Sequence, residues 1–309
     1  MGGLAERAVD ATYGVYGRHP GCRALHAKGI VCRGTFRASP AASELTTAAH
    51  MTGEPVAATV RFSKGSGDPT WPDAATDTRG MAVKFHLPGG DATDIVAATM
   101  PSFFIRRPED FVPLLHALTP RPGTSRKLHP LRLLAFVARH PESLRVFWSS
   151  ITIKPALSYA TTRYEALHAY RWIDAAGTVR HVRYRWLPEA GRADISRSEG
   201  KERSPDYLRE ELAERLAGGP ARFTLEVQIA ADGDPVDDPT AVWPEQRETR
   251  AVGTLTIEAV EEPQDEAANR LVMDPTRVTD GIELSDDPVL RFRRAAYEVS
   301  AKRRHAAHA

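Results

Sequence analysis

Apolar and polar positions along this chain alternate in short runs, and eight of those runs read as strands. They cover roughly 30–38, 56–63, 79–86, 92–98, 166–173, 179–187, 221–230 and 250–260. In "VRHVRYRWL" (179–187), Val179, Val182, Tyr184 and Trp186 interleave with arginines, which predicts a strand with one wet face. "DAAG" at 174–177 predicts the hairpin turn that joins two such strands. Helical periodicity occupies roughly 108–118, 128–138, 141–150 and 205–217, the last with Pro205 near its start. A final helix is expected from about Asp287 to Arg304, opened by "SDDP" with acids and Pro288 in its first turn. The Pro/Gly-rich stretches 119–130 and 232–245 read as loops inside one domain spanning 1–309, because neither flanking half has complete sheet edges of its own. Strands at this spacing predict an α+β fold, an antiparallel barrel or sandwich with helical insertions.

Composition narrows the function. A chain of 309 residues can bury a substantial core, and 42% hydrophobic with 26% charged residues describes an ordinary globular protein. With 41 basic against 40 acidic residues the net charge is +1, so no global field recruits nucleic acid or an anionic membrane, and neither is expected as a partner. Cys22 and Cys32 are the only cysteines, which is no disulfide framework and fits a reducing compartment. The opening "MGGLAERAVDATYGVYG" lacks the apolar core of a signal peptide, so a cytoplasmic location is expected. His305 and His308 fall in an alanine-rich tail and are set aside.

The final helix carries the first chemistry. Arg293 and Tyr297 stand four apart and share one helical face, and Arg304, eleven residues beyond Arg293, returns to it. An arginine beside a tyrosine favours the phenolate, a hard anionic ligand suited to ferric iron. The alternative is a basic helix end with tyrosine as an amphipathic core residue. Far upstream, "CRALHAKGIVCRG" (22–34) places His26 between basic residues at the lip of an apolar run, where it is either a surface histidine or one half of a site.

Six segments, read in order, resemble the haem catalases: "RALHAKG" (23–29), "VRFSKG" (60–65), "DTRGMAVKFH" (77–86), "MPSFFIRRPEDF" (100–111), "AVWP" (241–244) and "DGIELSDDPVLRFRRAAY" (280–297). Together they span nearly the whole chain. The end of the chain, just after the helix with Tyr297, is similar to the small catalase-related peroxidase branch, which lacks the long N-terminal arm and C-terminal helical domain of full catalases. The resemblance implies an eight-stranded antiparallel β-barrel with helical insertions, a C-terminal haem-ligand helix and one haem b.

By position, His26 resembles the distal catalytic histidine and Tyr297 the axial iron ligand, with Arg293 holding the phenolate. Arg23, Arg61 and Arg304 resemble the arginines that pair with the haem propionates, and arginine is the residue chemistry prefers for that task. Ser63 is similar to the serine that fixes the tautomer of the distal histidine, and Phe103 and Phe111 to the walls of the distal pocket.

Two departures follow from the same resemblance. The family's catalytic asparagine would stand three residues before Pro101, where this chain has Ala98 with Thr99 beside it, and Thr99 is a candidate substitute. Arg185 stands where full catalases place a histidine in the network behind the axial tyrosine. Both bear on peroxide dismutation more than on haem binding.

The implied activity is a haem-dependent peroxidase that uses hydrogen peroxide or an organic hydroperoxide to oxidise a small organic donor, with weak catalase activity. Its partners are the peroxide and the donor, with a homo-oligomer as a further expectation. Competing readings are an enzyme that rearranges lipid hydroperoxides, a haem sensor or store without turnover, and a haem-free barrel.

Overall fold

Successive side chains on a strand point to opposite faces, so a set of strands with one apolar face each can bury those faces by closing around a common axis. The structure, a computed structural model that describes residues 2–120 and 129–306, does this. Its strands are β1 (Gly29–Ala38), β2 (Val56–Lys64), β3 (Arg79–His86), β4 (Ala92–Ala98), β5 (Tyr164–Glu165), β6 (Tyr170–Ile173), β7 (Val179–Pro188), β8 (Ala221–Ile229), β9 (Thr249–Val260) and β10 (Ile282–Leu284). β1, β2, β3, β4, β5, β7, β8 and β9 pair antiparallel in that order, and β9 returns to β1. The result is a closed eight-stranded barrel, not a sandwich; β6 and β10 continue the sheet beside the first half of β7. Phe62, Met81, Val83, Phe85, Tyr164, Trp186, Phe223, Leu225 and Leu255 fill its interior with no exposure to solvent.

The helices are α1 (Gly2–Tyr16), α2 (Pro40–Ser43), α3 (Phe111–Leu118), α4 (Pro130–Arg139), α5 (Ser143–Thr152), α6 (Arg197–Glu202), α7 (Tyr207–Gly218), α8 (Gln264–Arg270) and α9 (Pro288–His305). α9 begins one residue after the expected start because the Asp287 side chain accepts the amides of Val289 and Leu290, which caps the helix. α1, which the apolar pattern does not announce, packs through Ala5 and Ala8 against Phe292 of α9 and beside Phe111 of α3. The loop expected over 119–130 and the first residue of the helix expected over 128–138 fall largely on 121–128, outside the described residues, as does His308.

Two expectations change. The strand expected over 166–173 is only β6, because the chain leaves the ladder from Ala166 to Ala169 and turns His168 into the interior at 1% exposure. The wet face expected on β7 is dry: Arg183 and Arg185 are each 6% exposed. The 232–245 loop folds over the Arg183 guanidinium, which donates to the carbonyls of Ala241 and Asp238 and sits 4.4 Å from the Trp243 ring centroid. The "DAAG" turn is as expected, with the Gly177 amide donating to the Asp174 carbonyl at 2.9 Å and φ of +81° at Gly177.

One buried ion pair ties the barrel to the segment that leads into α9. Lys84 donates to both oxygens of Asp94 at 2.7 and 3.0 Å, and Asp94 also accepts from Arg277 and from the Asp274 amide, each at 2.8 Å. Removing one partner leaves a buried charge uncompensated, so Asp94→Ala is expected to lower unfolding free energy by about 3–5 kcal/mol. Urea unfolding of the variant checks this; a loss below about 1 kcal/mol would place the pair in water.

Candidate active site

Cross-strand pairing aligns Gly29 with Ser63, Ser63 with Gly80, and Gly80 with Ala98. Paired residues share a face, so four small residues on adjacent strands, two of them glycines, form a low floor on one side of the barrel. His26 lies on that floor. Its amide donates to the Gly65 carbonyl at 3.1 Å, the Ala27 amide to Ser66 at 3.0 Å, and Arg61 donates to the His26 carbonyl at 2.8 Å. These bonds hold His26 at φ +56°, the one positive φ outside glycine among the described residues, a conformation that costs energy and collects at functional sites. His26 Nδ1 is 3.0 Å from Ser63 Oγ, which leaves Nε2 for a ligand. A Cβ on Gly80 would lie 2.8 Å from Ser63 Oγ and 3.0 Å from the His26 ring, so only glycine admits the pair. Burial, then the neighbouring charges of Arg61, Arg293 and Arg23, push the His26 pKa down to about 3. The ring is therefore neutral and able to accept a proton.

Beside it stand three guanidinium groups with no carboxylate in salt-bridge reach among the described residues. Arg23 donates to the carbonyls of Ala268 and Leu271 at 2.8 and 2.7 Å. Arg304 donates to Asn269 and Leu271 at 3.1 and 3.3 Å, so Arg23 and Arg304 share one carbonyl. The buried Nε atoms of Arg61 and Arg304 have no partner at all. Burial and mutual repulsion pull Arg23 well below its ordinary pKa, and burial leads the same shift in Arg61, to about 10. Cations kept this close without an acid make a cradle for an anion of more than one charge.

The third part is α9. Arg293 donates to the Tyr297 oxygen at 2.6 Å and lies 3.0 Å from His168 Nε2 through its other amino group. His168 Nδ1 is 2.6 Å from Asp287 Oδ2. Arginine only donates, so His168 Nε2 must accept and its Nδ1–H must face the carboxylate. Asp287, His168, Arg293 and Tyr297 thus form one directed chain. Burial pulls the His168 pKa down, which agrees with a neutral ring. Burial also pulls on Arg293, but Tyr297, with Tyr170 and Asp287 behind it, outweighs burial and holds the guanidinium above its ordinary value.

This corrects the expectation for Arg185. The histidine behind the tyrosine is His168, while Arg185 bonds Glu165 at 3.2 Å and Gln228 at 3.1 Å, further around the barrel. Neither His168 nor Asp287 was singled out from sequence; the only local signal was the acidic "SDDP" start of the final helix.

One contact ties the two walls together: the Ala24 amide, two residues before His26, reaches Ser300 Oγ at 3.4 Å, one turn beyond Tyr297. Phe103 and Phe111 stack at 6.4 Å and 18°, and Phe103 lies 6.5 Å from the His168 ring. Thr99 Oγ1 accepts the Arg79 amide at 3.0 Å and sits 3.2 Å from Thr78 Oγ1, so that hydroxyl is bound to β3. Ala98 contributes only a methyl to the floor.

These residues fit haem. Its two carboxylates match the unpartnered guanidinium nitrogens, its plane matches the aromatic walls, and Tyr297 offers an oxygen that could hold its iron. Comparison with known proteins agrees. A family model described as catalase matches residues 18–309. The chain is 46% identical over 306 residues to a catalase-related peroxidase of Mycolicibacterium paratuberculosis, covering 98% of this chain and 96% of that one. It is 31% identical over 299 residues to a catalase-related peroxidase of Synechococcus elongatus, covering 97% of this chain and 88% of that one. Among solved structures, a fungal catalase superposes with a TM-score of 0.84 at 25% identity over 93% of this chain, and this chain spans 60% of that one.

The neutrality of His26 is directly measurable. Its ring nitrogens, followed by nitrogen-15 NMR, are expected to keep the neutral signature from about pH 4 to about pH 8. A midpoint near the ordinary 6.5 would show that burial and the arginines do not act on it.

Proposed function

The chain belongs to the catalase family and acts on peroxide, and on that premise we propose that it carries haem b and oxidises small organic donors with hydrogen peroxide or an organic hydroperoxide. The observation that carries this reading is the neutral, strained His26 set across the same space from the Arg293–Tyr297 pair.

In this reading the Tyr297 oxygen would hold the haem iron, and Arg293, donating to it, would keep it an anion. Arg23, Arg61 and Arg304 hold the propionates, and Phe103 and Phe111 border the ring. Bound haem supplies the redox chemistry that breaks the peroxide O–O bond. His26 Nε2 takes the proton from one peroxide oxygen and returns it to the other, which departs as water or alcohol. Ser63 keeps Nδ1 engaged so that Nε2 stays the acceptor. The floor offers no amide donor at Ala98, and Thr99 Oγ1 is turned away to the Arg79 amide and to Thr78 Oγ1, so a second peroxide is poorly placed and an organic donor is favoured. Cys22 and Cys32 form no disulfide, which supports a reducing, cytoplasmic setting.

Haem-loaded enzyme is expected to oxidise an aromatic dye with peroxide and to release dioxygen slowly, since one missing positioning donor costs ~10²–10³ in rate. His26→Ala is expected to lose both activities while keeping its haem spectrum. Dioxygen release as the sole activity would contradict the assignment of an organic donor.

The iron ligand is tested separately. Tyr297→Phe is expected to lose or disorder haem, read from its absorbance spectrum. An unchanged spectrum would remove Tyr297 from the role.

A further inference from the structure

α4 and α5 turn large apolar side chains outward. Leu131 and Leu134 on α4, and Leu144, Trp148 and Ile151 on α5, are each 59–68% exposed. Among the described residues the one other exposed large apolar side chain is Val179, on β7. Such a cluster on two consecutive helices marks a surface that meets something apolar.

Helical spacing makes each set a stripe. Leu144, Trp148 and Ile151 stand at i, i+4 and i+7, and Leu131 and Leu134 share one face with the exposed Ala135 and Ala138. Inward-facing Phe136 and Val146 are buried, Phe136 against Ile105 and Leu114. The outward stripes are therefore surplus to the core.

Cations border them. Arg132 and Arg139, seven apart, run along one edge of the α4 stripe, and Arg145 takes the same edge on α5. All three are exposed, and among the described residues no acid lies in salt-bridge reach of any of them. Glu142, the only acid from His129 to Lys154, faces His140 at 3.5 Å. Four basic residues against that one acid give this stretch +3, in a chain whose net charge is +1. The near-neutral total, which argued against a membrane partner, conceals a local positive face.

What covers this face must be apolar and anionic together. A second copy supplies the apolar half, but it would set the three arginines against their own equivalents. A lipid surface with anionic headgroups supplies both: the stripes enter the acyl boundary while the arginines stay with the phosphates. Tryptophan, as at Trp148, favours that boundary. Helices of ten residues are about 15 Å long, half the hydrocarbon thickness of a bilayer, so they lie in its surface.

We propose that α4 and α5 dock this protein on membranes rich in anionic phospholipid. The proposal uses no property of the haem site and stands apart from the peroxidase reading.

The test mixes haem-loaded protein with vesicles of phosphatidylcholine alone, or with phosphatidylglycerol added, and reads bound protein by sedimentation. Each arginine near an acidic surface is worth about fivefold, so the acidic vesicles are expected to bind about a hundredfold more tightly, and less so as salt rises. Arg132→Gln/Arg139→Gln/Arg145→Gln should remove that preference. Leu134→Ser/Trp148→Ser, with its charge unchanged, should weaken binding about tenfold or more. All five substituted side chains are exposed, so the fold is kept, which circular dichroism checks. Equal affinity for both vesicles, binding to neither, or binding that Leu134→Ser/Trp148→Ser leaves intact would overturn the proposal. Self-association without vesicle binding, abolished by the same apolar variant in analytical ultracentrifugation, would overturn it too and assign the face to a second copy.

Discussion

The Arg293 guanidinium holds this site together, because it directs one amino group to Tyr297 at 2.6 Å and another to His168 at 3.0 Å. Arginine cannot accept a hydrogen bond, so every proton in the chain behind it has a fixed place. His168 must accept from Arg293 and donate to Asp287, and Asp287 in turn receives the first amides of α9. The residue that starts the helix is therefore also the residue that orients the group behind the tyrosine. Folding the helix and orienting Tyr297 are one event.

The opposite wall obeys a different constraint, that of space. Gly29, Ser63, Gly80 and Ala98 keep the barrel face low enough for His26 to lie on it. A Cβ on Gly29 would come within 2.7 Å of the Arg61 guanidinium, as one on Gly80 would crowd the histidine. Arg61 in turn donates to the His26 carbonyl and holds the strained backbone. The small residues thus admit the arginines and the histidine, and burial, aided by the arginines, keeps the histidine neutral. Ala98 continues the same logic at a cost: the floor stays low, but no donor stands there.

Much of this was legible in the sequence. Period-two alternation marks seven of the eight barrel strands, all but the two-residue β5, and the four-residue spacing of Arg293 and Tyr297 predicts a contact that the structure makes. What stayed hidden depends on distance along the chain. His168 and Asp287 are 119 residues apart and meet only after the barrel closes, so no local pattern announces them, and Arg185 was given a place that belongs to His168. The dry second face of β7 was missed for the same reason, since a loop some fifty residues later covers Arg183. α1 was missed because its contacts are alanines, whose small apolar faces carry little periodic signal.

The most direct test is the resonance Raman spectrum of haem-loaded wild type beside Asp287→Asn. The substitution keeps the oxygen that caps α9 and replaces the one that accepts from His168, so the helix persists while the chain to Tyr297 is altered. An iron–tyrosinate vibration is predicted in the wild type, displaced in the variant. Its absence from the wild type, or an identical band in both proteins, would contradict the account.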